Sequence, residues 1–499
     1  MDIISNLSLG ISQALIPTNI WFCFIGVLLG TLVGVLPGLG PTATMAILLP
    51  MTLTLPPDAA LIMMAGIYYG AQYGGSTTAI LINLPGEASS TVTAIDGYKM
   101  ALKGRGGPAL VIAAGGSFFA GCVATLVIAV LAEPLAQVAL EFSATDYTSL
   151  IVLGLIASVS LARGSLLKAL AMVALGLTLG LVGTDVYTGS ARFTFGLPGL
   201  ADGLDIVALA VGLFGVSEVL RNLEAEHTDS VEPRKIEGLM PNREEMRQSV
   251  GPVLRGTGLG SILGVLPGAG ALLASFASYA VEKKVSKHPD QFGDGAVAGV
   301  AGPESANNAA AQTSFIPMLS LGIPSNAIMA LMAGAMLIQG IVPGPQVMFQ
   351  NPSLFWGLIA SMWVGNLMLV ILNIPLVGIW IRLASVPYSI LFPAIMIFCS
   401  IGVYSISSNE LHVISIALFG LAGYILIKMD FEPAPLILGF VLGPLLEENF
   451  RRTMLLSDGD LLVFIKSPIS LGLVILSAIV LVIVALPAVR KKREVVFED

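Results

Sequence analysis

The stretch GVLLGTLVGVLPGLG, residues 26–40, returns 230 residues later as GTGLGSILGVLPGAG, residues 256–270. The shared segment GVLPG and the glycines at 26, 30, 34, 38 and 40 all reappear at the same spacing. Proline removes a backbone donor and clashes with the preceding helical turn, whereas glycine allows positive φ and close backbone approach. The pair therefore predicts two helix breaks, at Pro37–Pro41 and at Pro267–Gly270.

Two further pairs of segments repeat in the same order. INLPGE at 82–87 is echoed by LGIPSN at 321–326, and KMALKGRGGP at 99–108 by AMLIQGIVPGP at 335–345. Chance similarity among small apolar residues accounts for one such match but not for three. We therefore expect a duplicated chain with membrane halves at 1–220 and 251–489. A charged cytoplasmic linker at 221–250 and a basic cytoplasmic tail at 490–499 complete the predicted organisation.

The distribution of charge predicts the fold class. Only 11% of the 499 residues are charged and 55% are apolar, against roughly 25% charged in an ordinary soluble protein. Four charge-free intervals, 3–57, 106–132, 305–381 and 467–489, each hold a run long enough to cross a bilayer as a helix. We predict an all-α polytopic membrane protein with about 11–12 transmembrane helices, including broken or re-entrant hairpins. The net charge of −8 argues against nucleic-acid binding.

Lysine and arginine predict the orientation, because basic loops stay in the cytoplasm. The tail at 490–493 is Arg-Lys-Lys-Arg, and the first 17 residues have no basic side chain, which favours an outer N-terminus. If both the linker and the basic run at 283–287 are inside, the segment between them must enter the membrane and return. A hairpin broken at Pro267 achieves this. The alternative is a full crossing that ends in an atypical basic outer loop.

Paired interruptions at matching places in two halves point to a transporter binding site. Two nearly uncharged segments, 66–93 and 299–326, add hydroxyl and amide groups that suit Na⁺ coordination and carboxylate binding. The alternative is that the glycines and hydroxyls only join helices to one another. The candidate substrate-binding residues are Gly38, Gly40, Gly75, Ser76, Thr77, Gly86, Gly268, Gly270, Ser305, Asn307, Ser325 and Asn326. The candidate cation-coupling residues, where a bound Na⁺ is expected, are Thr78, Asn83, Glu87, Glu304, Asn308, Thr313 and Ser314.

Glu87 and Glu304 are the carboxylates nearest these motifs. An ionisable group inside a membrane is a functional hypothesis by default, so either could ligate a cation or carry a proton. The alternative is that both lie at an interface and cap the next helix. Neither polar segment, 66–93 nor 299–326, contains Lys or Arg. Anion binding there would therefore use backbone N–H groups, hydroxyls and amides.

Other classes of function leave weaker signals. The three histidines lie away from the repeated motifs and no HExxH motif occurs, so we expect no catalytic residues. No GxxxxGK[ST] loop is present, so any ATP hydrolysis would belong to another chain. A channel for anions or small solutes would also use Gly-rich re-entrant loops, and it remains the alternative function.

Three long motifs carry a resemblance to a known family. They are GVLPGLGPTATMAILLP at 34–50, YGGSTTAILINLPGEASS at 73–90 with DGYKMALKGRGGPAL at 96–110, and GPESANNAAAQTSFIPMLSLGIPSNAIMALMAGAMLIQGIVPGP at 302–345. The chain resembles the large membrane subunit of the tripartite tricarboxylate transporter family, the TctA type, over nearly its whole length.

The resemblance implies several properties that the residue patterns alone do not. Such subunits lie in the bacterial inner membrane beside a small four-helix membrane subunit, and a periplasmic solute-binding protein delivers the substrate. Uptake is secondary and is driven by a Na⁺ or H⁺ gradient. The expected substrates are carboxylates such as citrate or other tri- and dicarboxylates, and no cofactor other than bound Na⁺ is expected.

Overall fold

The computed structural model describes residues 3–36, 40–161, 165–185, 187–224, 238–266, 270–384, 388–407 and 410–485. Helices before residue 225 are α1 (Ile3–Ala14), α2 (Pro17–Gly34), α3 (Pro41–Thr52), α4 (Pro57–Ile82), α5 (Thr91–Leu102), α6 (Gly106–Leu140), α7 (Ala144–Leu161), α8 (Leu166–Gly180), α9 (Ile206–Ala210) and α10 (Ser217–Glu224). Helices after residue 237 are α11 (Arg243–Leu263), α12 (Gly270–Val285), α13 (Val297–Thr313), α14 (Phe315–Leu321), α15 (Ala327–Ile338), α16 (Pro345–Gln350), α17 (Pro352–Asn373), α18 (Val377–Ala384), α19 (Tyr388–Ser407), α20 (Glu410–Lys428), α21 (Pro433–Leu456), α22 (Val463–Lys466) and α23 (Pro468–Ala485).

The prediction of an all-α polytopic membrane protein is confirmed. Within the described ranges, the only sheet pairs β1 (Gly183–Thr184) antiparallel with β2 (Ala191–Arg192). Five helical stretches are long and apolar enough to cross a membrane, and several shorter apolar helices accompany them. The five are Pro17–Gly34, Gly106–Leu140, Ile206–Glu224, Pro352–Asn373 and Glu410–Lys428. The total of 11–12 crossings stays a prediction.

A helix ends shortly before each predicted break, and another begins at its far end. Helix α2 ends at Gly34, and α3 begins at Pro41 after an extended Gly40 with φ −70° and ψ 170°. Helix α11 ends at Leu263, and α12 begins at Gly270, whose φ of +32° favours glycine. Residues 37–39 and 267–269, which include the candidates Gly38 and Gly268, lie outside the described residues.

The segment that contains α11 and α12 turns back on itself, as a hairpin would, and its entry into the membrane from one side stays a prediction. Near its start Glu245 pairs with Arg105, and beyond its end Asp294 lies 2.8 Å from Lys103. Both ends therefore lie beside the same short loop between α5 and α6. The two arms are also joined directly, because Arg255 donates two hydrogen bonds, of 2.8 and 2.6 Å, to the buried carboxylate of Glu282.

Two seams of glycine contacts repeat across the chain. In α2, a Cβ on Gly26, Gly30 or Gly34 would strike a backbone carbonyl oxygen of the facing helix α4. In α11, a Cβ on Gly256, Gly260 or Gly264 would strike a carbonyl oxygen of α13. The facing carbonyls belong to Met63, Ile67 and Ala71 in α4 and to Gly302, Ala306 and Ala310 in α13, each pair 239 positions apart. Small residues on every fourth position allow this close approach of two helices.

The loops that follow α4 and α14 also share their backbone geometry. Asn83 and Gly322, 239 positions apart, both end their helices in the left-handed conformation, with φ of 57° and 75°. The amide of Leu84 then bonds the carbonyl of Thr78 at 3.4 Å, and the amide of Ile323 bonds that of Pro317 at 3.2 Å. These matches support the duplication. The four predicted domain boundaries remain a prediction, because 225–237 and 490–499 lie outside the described residues.

Two sets of polar contacts join helices α8, α10, α20 and α21 near their ends. At one end, Arg451 of α21 binds Asp185 in the loop that follows α8, at 2.9 Å. At the other end, Lys428 of α20 pairs with Glu224, the last residue of α10. Glu224 lies within the predicted cytoplasmic linker, so this second end corresponds to the face that the sequence predicts to be cytoplasmic, and the orientation stays a prediction.

Candidate cation and substrate site

Glu304 lies at the meeting point of three helices. It is 1% exposed on α13. Its carboxylate accepts hydrogen bonds from the Ser76 hydroxyl of α4, at 2.8 and 2.9 Å, and from the Thr93 hydroxyl of α5, at 2.6 Å. The predicted candidates Ser76 and Glu304 are thus brought together across the two halves. Within the described chain, no Lys or Arg forms an ion pair with this carboxylate.

The groups that surround the Glu304 carboxylate are neutral hydroxyls. The Ser76 hydroxyl lies within hydrogen-bond distance of both carboxylate oxygens and of the Gln72 carbonyl, at 3.2 Å. A hydroxyl has one hydrogen and serves one acceptor well. Thr93 and Ser117 add two further hydroxyls beside the carboxylate, and none of these groups carries a charge that would balance it. A bound Na⁺, or a proton on Glu304, would supply the missing positive charge.

A cavity of about 20 Å³, enough for about one water molecule, adjoins this cluster. Its polar lining is formed by Tyr73, Ser76, Thr77, Ser117, Glu304 and Asn373. Its apolar rim includes Leu239, from the predicted linker, and Ile374 and Val377 near the end of α17. The carboxylate therefore faces a space that leads toward the end of the molecule where the linker lies.

Asn308 is held beside the same cavity. Its amide donates to the Ser117 hydroxyl of α6 at 2.7 Å and to the Glu304 carbonyl at 3.1 Å. Ser305 bonds the Ala301 carbonyl of its own helix at 2.8 Å, and Thr77 bonds that of Tyr73 at 3.1 Å. Asn308 is thus part of the cluster, while the hydroxyls of Ser305 and Thr77 satisfy their own helices.

Glu87 and Asn307 form a second polar contact between the halves. The Asn307 amide donates to a Glu87 carboxylate oxygen at 2.7 Å. Asn307 is fully buried, and its side-chain oxygen has no hydrogen-bond partner within the described residues. The Glu87 side chain packs against Gly75, where a Cβ would lie 3.4 Å from Glu87 Cγ. Gly86, whose amide bonds the Gly75 carbonyl at 3.3 Å, completes this corner.

Gly40 and Gly270, at the two breaks, each face one of the two equivalent loops. A Cβ on Gly40 would lie 3.6 Å from the Gly86 carbonyl oxygen, and one on Gly270 would lie 4.0 Å from Asn326 Nδ2. The Asn326 side chain also caps α15 by accepting the amide of Met329 at 2.9 Å. Each break therefore lies beside the polar loop of its own half.

Most of the remaining candidates form hydrogen bonds close to their own positions in the chain. The Thr78 hydroxyl bonds the Gly75 carbonyl and the Thr313 hydroxyl bonds the Ala309 carbonyl, both at 3.0 Å. Ser314 bonds its own helix, and its carbonyl accepts the Ser325 hydroxyl at 3.1 Å. Asn83 is exposed at the end of α4. These contacts do not join the Glu304 cluster, and the roles of these residues stay predictions.

A buried carboxylate that the sequence patterns did not single out, Asp96, holds the two halves in register. One oxygen accepts the amides of Gly293, Gly295 and Ala296 at 2.8–2.9 Å, and the other accepts the Tyr279 hydroxyl at 3.0 Å. These amides directly precede α13, where a negative charge favours the start of a helix. Asp96 follows Thr93 by about one turn of α5, so the hydrogen bonds of Asp96 hold Thr93 opposite Glu304.

Comparisons with known proteins identify relatives over the whole chain. The model of the tripartite tricarboxylate transporter TctA family matches residues 20–438. An uncharacterized 52.8 kDa protein in the TAR-I ttuC′ 3′ region of Agrobacterium vitis is 62% identical over 499 residues, which is 100% of this chain and 99% of the relative. An uncharacterized protein in the TAR-II ttuC′ 3′ region of the same organism is 60% identical over 240 residues, 48% of this chain and 99% of the relative. No solved structure matches.

Proposed function

We propose, starting from the fact that this chain belongs to the tripartite tricarboxylate transporter TctA family, that it imports carboxylates in symport with Na⁺ or H⁺. Family membership makes it a transport protein and a subunit of a tricarboxylate transporter. In our proposal the substrate is citrate or another tri- or dicarboxylate. It arrives from a periplasmic solute-binding protein, and a small four-helix subunit completes the complex in the bacterial inner membrane.

The observation that carries the coupling proposal is the buried Glu304 carboxylate, which is surrounded by hydroxyls of the other half. An unpaired carboxylate is expensive to hold inside a membrane protein, so occupation by a cation stabilises the cluster. The cation would rest on the carboxylate and the oxygens of Ser76 and Thr93. Because these ligands come from both halves, cation binding is linked to their relative position, and alternating access requires such a link.

The substrate carboxylates have a separate place in this proposal. Helix α12 begins at Gly270 and α15 begins after Asn326, and a Cβ on Gly270 would lie 4.0 Å from Asn326 Nδ2. Helix N-termini carry unpaired amides and partial positive charge, which attract carboxylates. Ser325 and Asn326 would add neutral donors. A bound cation near Glu304 offsets part of the substrate charge, so each ligand favours the binding of the other.

The proposal is tested by reconstituting the complete complex and measuring uptake of labelled citrate under imposed Na⁺ or pH gradients. Glu304→Gln keeps the size of the side chain and removes its charge. We expect gradient-driven uptake to fall by more than about tenfold, because a lost charge-assisted contact is worth about 1.5–3 kcal/mol. The matched control is Glu141→Gln, an exposed carboxylate at the end of α6. Uptake that ignores every cation gradient would reject the coupling.

A further inference from the structure

We propose that Glu87 and Asn307 form a second monovalent-cation site, separate from the one at Glu304, so that each transport cycle carries at least two cations. This inference rests on the proposed function and deepens it, because it sets the minimum number of coupled ions. The shared chemistry of the ligand is that of Na⁺ or H⁺.

The first argument is the unused oxygen of Asn307. Its amide nitrogen donates to Glu87 at 2.7 Å, while its oxygen is buried without a partner in the described chain. A buried acceptor that lacks a donor is unfavourable, so most such atoms in proteins have a partner. A half-turn of the amide would place this oxygen beside the Glu87 carboxylate. The pair can therefore stabilise the empty carboxylate with a donor and a bound cation with two oxygens.

The second argument is that the two carboxylates share no side-chain partner. Glu304 is bonded by the hydroxyls of Ser76 and Thr93 and also contacts that of Ser117. Glu87 is bonded by the amide of Asn307 and also contacts the hydroxyl of Ser89. No ion pair with a Lys or Arg forms at either carboxylate in the described part of the chain. Two negative charges close to each other in a low-dielectric interior disfavour each other's ionised form. Each therefore needs its own positive charge.

The third argument comes from the repeat itself. Glu87 and Asn326 are equivalent, 239 positions apart, and both are extended, with φ of −148° and −154°. Asn326 uses its side chain to cap α15, but Glu87 caps no helix and points to the other half. The same loop thus carries a negative charge in one half and a neutral amide in the other. This difference suits a cation at Glu87 and an anionic substrate at Asn326.

The test counts cations bound by the purified complex. Binding of ²²Na⁺ is measured at equilibrium, and in Na⁺-free buffer a pH-sensitive dye reports protons taken up with the substrate. We expect about two cations per chain in the wild type, and about one in Glu87→Gln, in Asn307→Leu and in Glu304→Gln, with Glu141→Gln unchanged. Initial rates of uptake should give a Hill coefficient that falls from about two to about one in Glu87→Gln. Binding needs no turnover, so it reports even if a variant cannot transport.

The outcomes separate the two proposals. A wild-type complex that binds one cation, or a Glu87→Gln variant with an unchanged count, would overturn the second site and leave coupling at Glu304 intact. If the complex binds no cation and its uptake does not depend on any cation gradient, the proposed function and the second site are both rejected. If Glu87→Gln binds one Na⁺ fewer than the wild type, the second site holds Na⁺. If only the number of protons taken up falls, the second site holds H⁺.

Discussion

Two glycines on the same helix, Gly258 and Gly260, should respond in opposite ways to the addition of one methyl group. A Cβ on Gly258 meets nothing within 4 Å, whereas one on Gly260 would strike the Ala306 carbonyl and lie 2.8 Å from Ala306 Cα and from Ala309 Cβ. Alanine is the better helix former by about 0.8–1 kcal/mol. Gly258→Ala should therefore stabilise the protein slightly or leave it unchanged.

Gly260→Ala has the same propensity gain but must push α11 away from α13. Overpacking of a tight contact typically destabilises by about 1–3 kcal/mol, and here the obstacle is backbone rather than a flexible side chain. We expect a net loss of about 2 kcal/mol and a difference of roughly 3 kcal/mol between the two variants. Uptake should also fall in Gly260→Ala alone, because α13 carries Glu304 and a shift of about 1 Å weakens its contacts.

The assay compares thermal unfolding midpoints of the detergent-purified complex and citrate uptake after reconstitution. Gly258→Ala serves as the matched control, since it changes the same helix two positions away. If both variants unfold at the wild-type midpoint, or if both lose stability equally, the contact between α11 and α13 is not as close as described here.

Three further predictions concern charged groups. Asp96→Asn replaces charge-assisted hydrogen bonds by neutral ones and should destabilise the complex by roughly 2–4 kcal/mol. Because Asp96 positions Thr93 beside Glu304, the variant should also need a higher cation concentration for half-maximal uptake. An unchanged cation dependence would reject this positioning role. The amide of Tyr187 and the guanidinium of Arg451 lower the pKa of Asp185 from 3.8 to about 2, so its stabilising contribution is present above pH 4 and is lost between pH 4 and 2. Arg451→Gln should move that loss to higher pH in acid-unfolding curves. Glu282→Gln removes the negative charge and one of the two acceptor oxygens of the buried ion pair with Arg255, so the unfolding midpoint should fall. Screening by 1 M salt should not lower the wild-type midpoint by the same amount, because the pair is partly buried.

The helix breaks could be predicted because their cause is local. Proline and glycine act on the residues next to them, and the recurrence of the same motif showed that the interruption matters twice. Glu304 and Asn307 could also be identified, since polar groups are rare in an apolar chain and each one requires an explanation. Their partners could not be derived, because neither periodicity nor spacing specifies which helices meet.

Thr93, Ser117 and Asp96 illustrate this limit. Each belongs to a helix that is distant in sequence from α13, and each resembles an ordinary helix-joining residue until the helices are packed. Asn83 shows a second limit, because an amide in a polar segment suits either a cation ligand, which stays a prediction, or a helix end. Its counterpart in the repeat is Gly322, and a position shared by Asn and Gly indicates a left-handed helix end.

The glycine seams restrict how the molecule can move. Along three successive turns the backbone of α2 lies directly on that of α4, and the same holds for α11 on α13. Separating either pair of helices would leave a strip of backbone without side chains to cover it and would lose its van der Waals contacts. Each pair of helices should therefore move as one rigid body. The hinges that open the transport pathway should then lie in the connections at the ends of each pair.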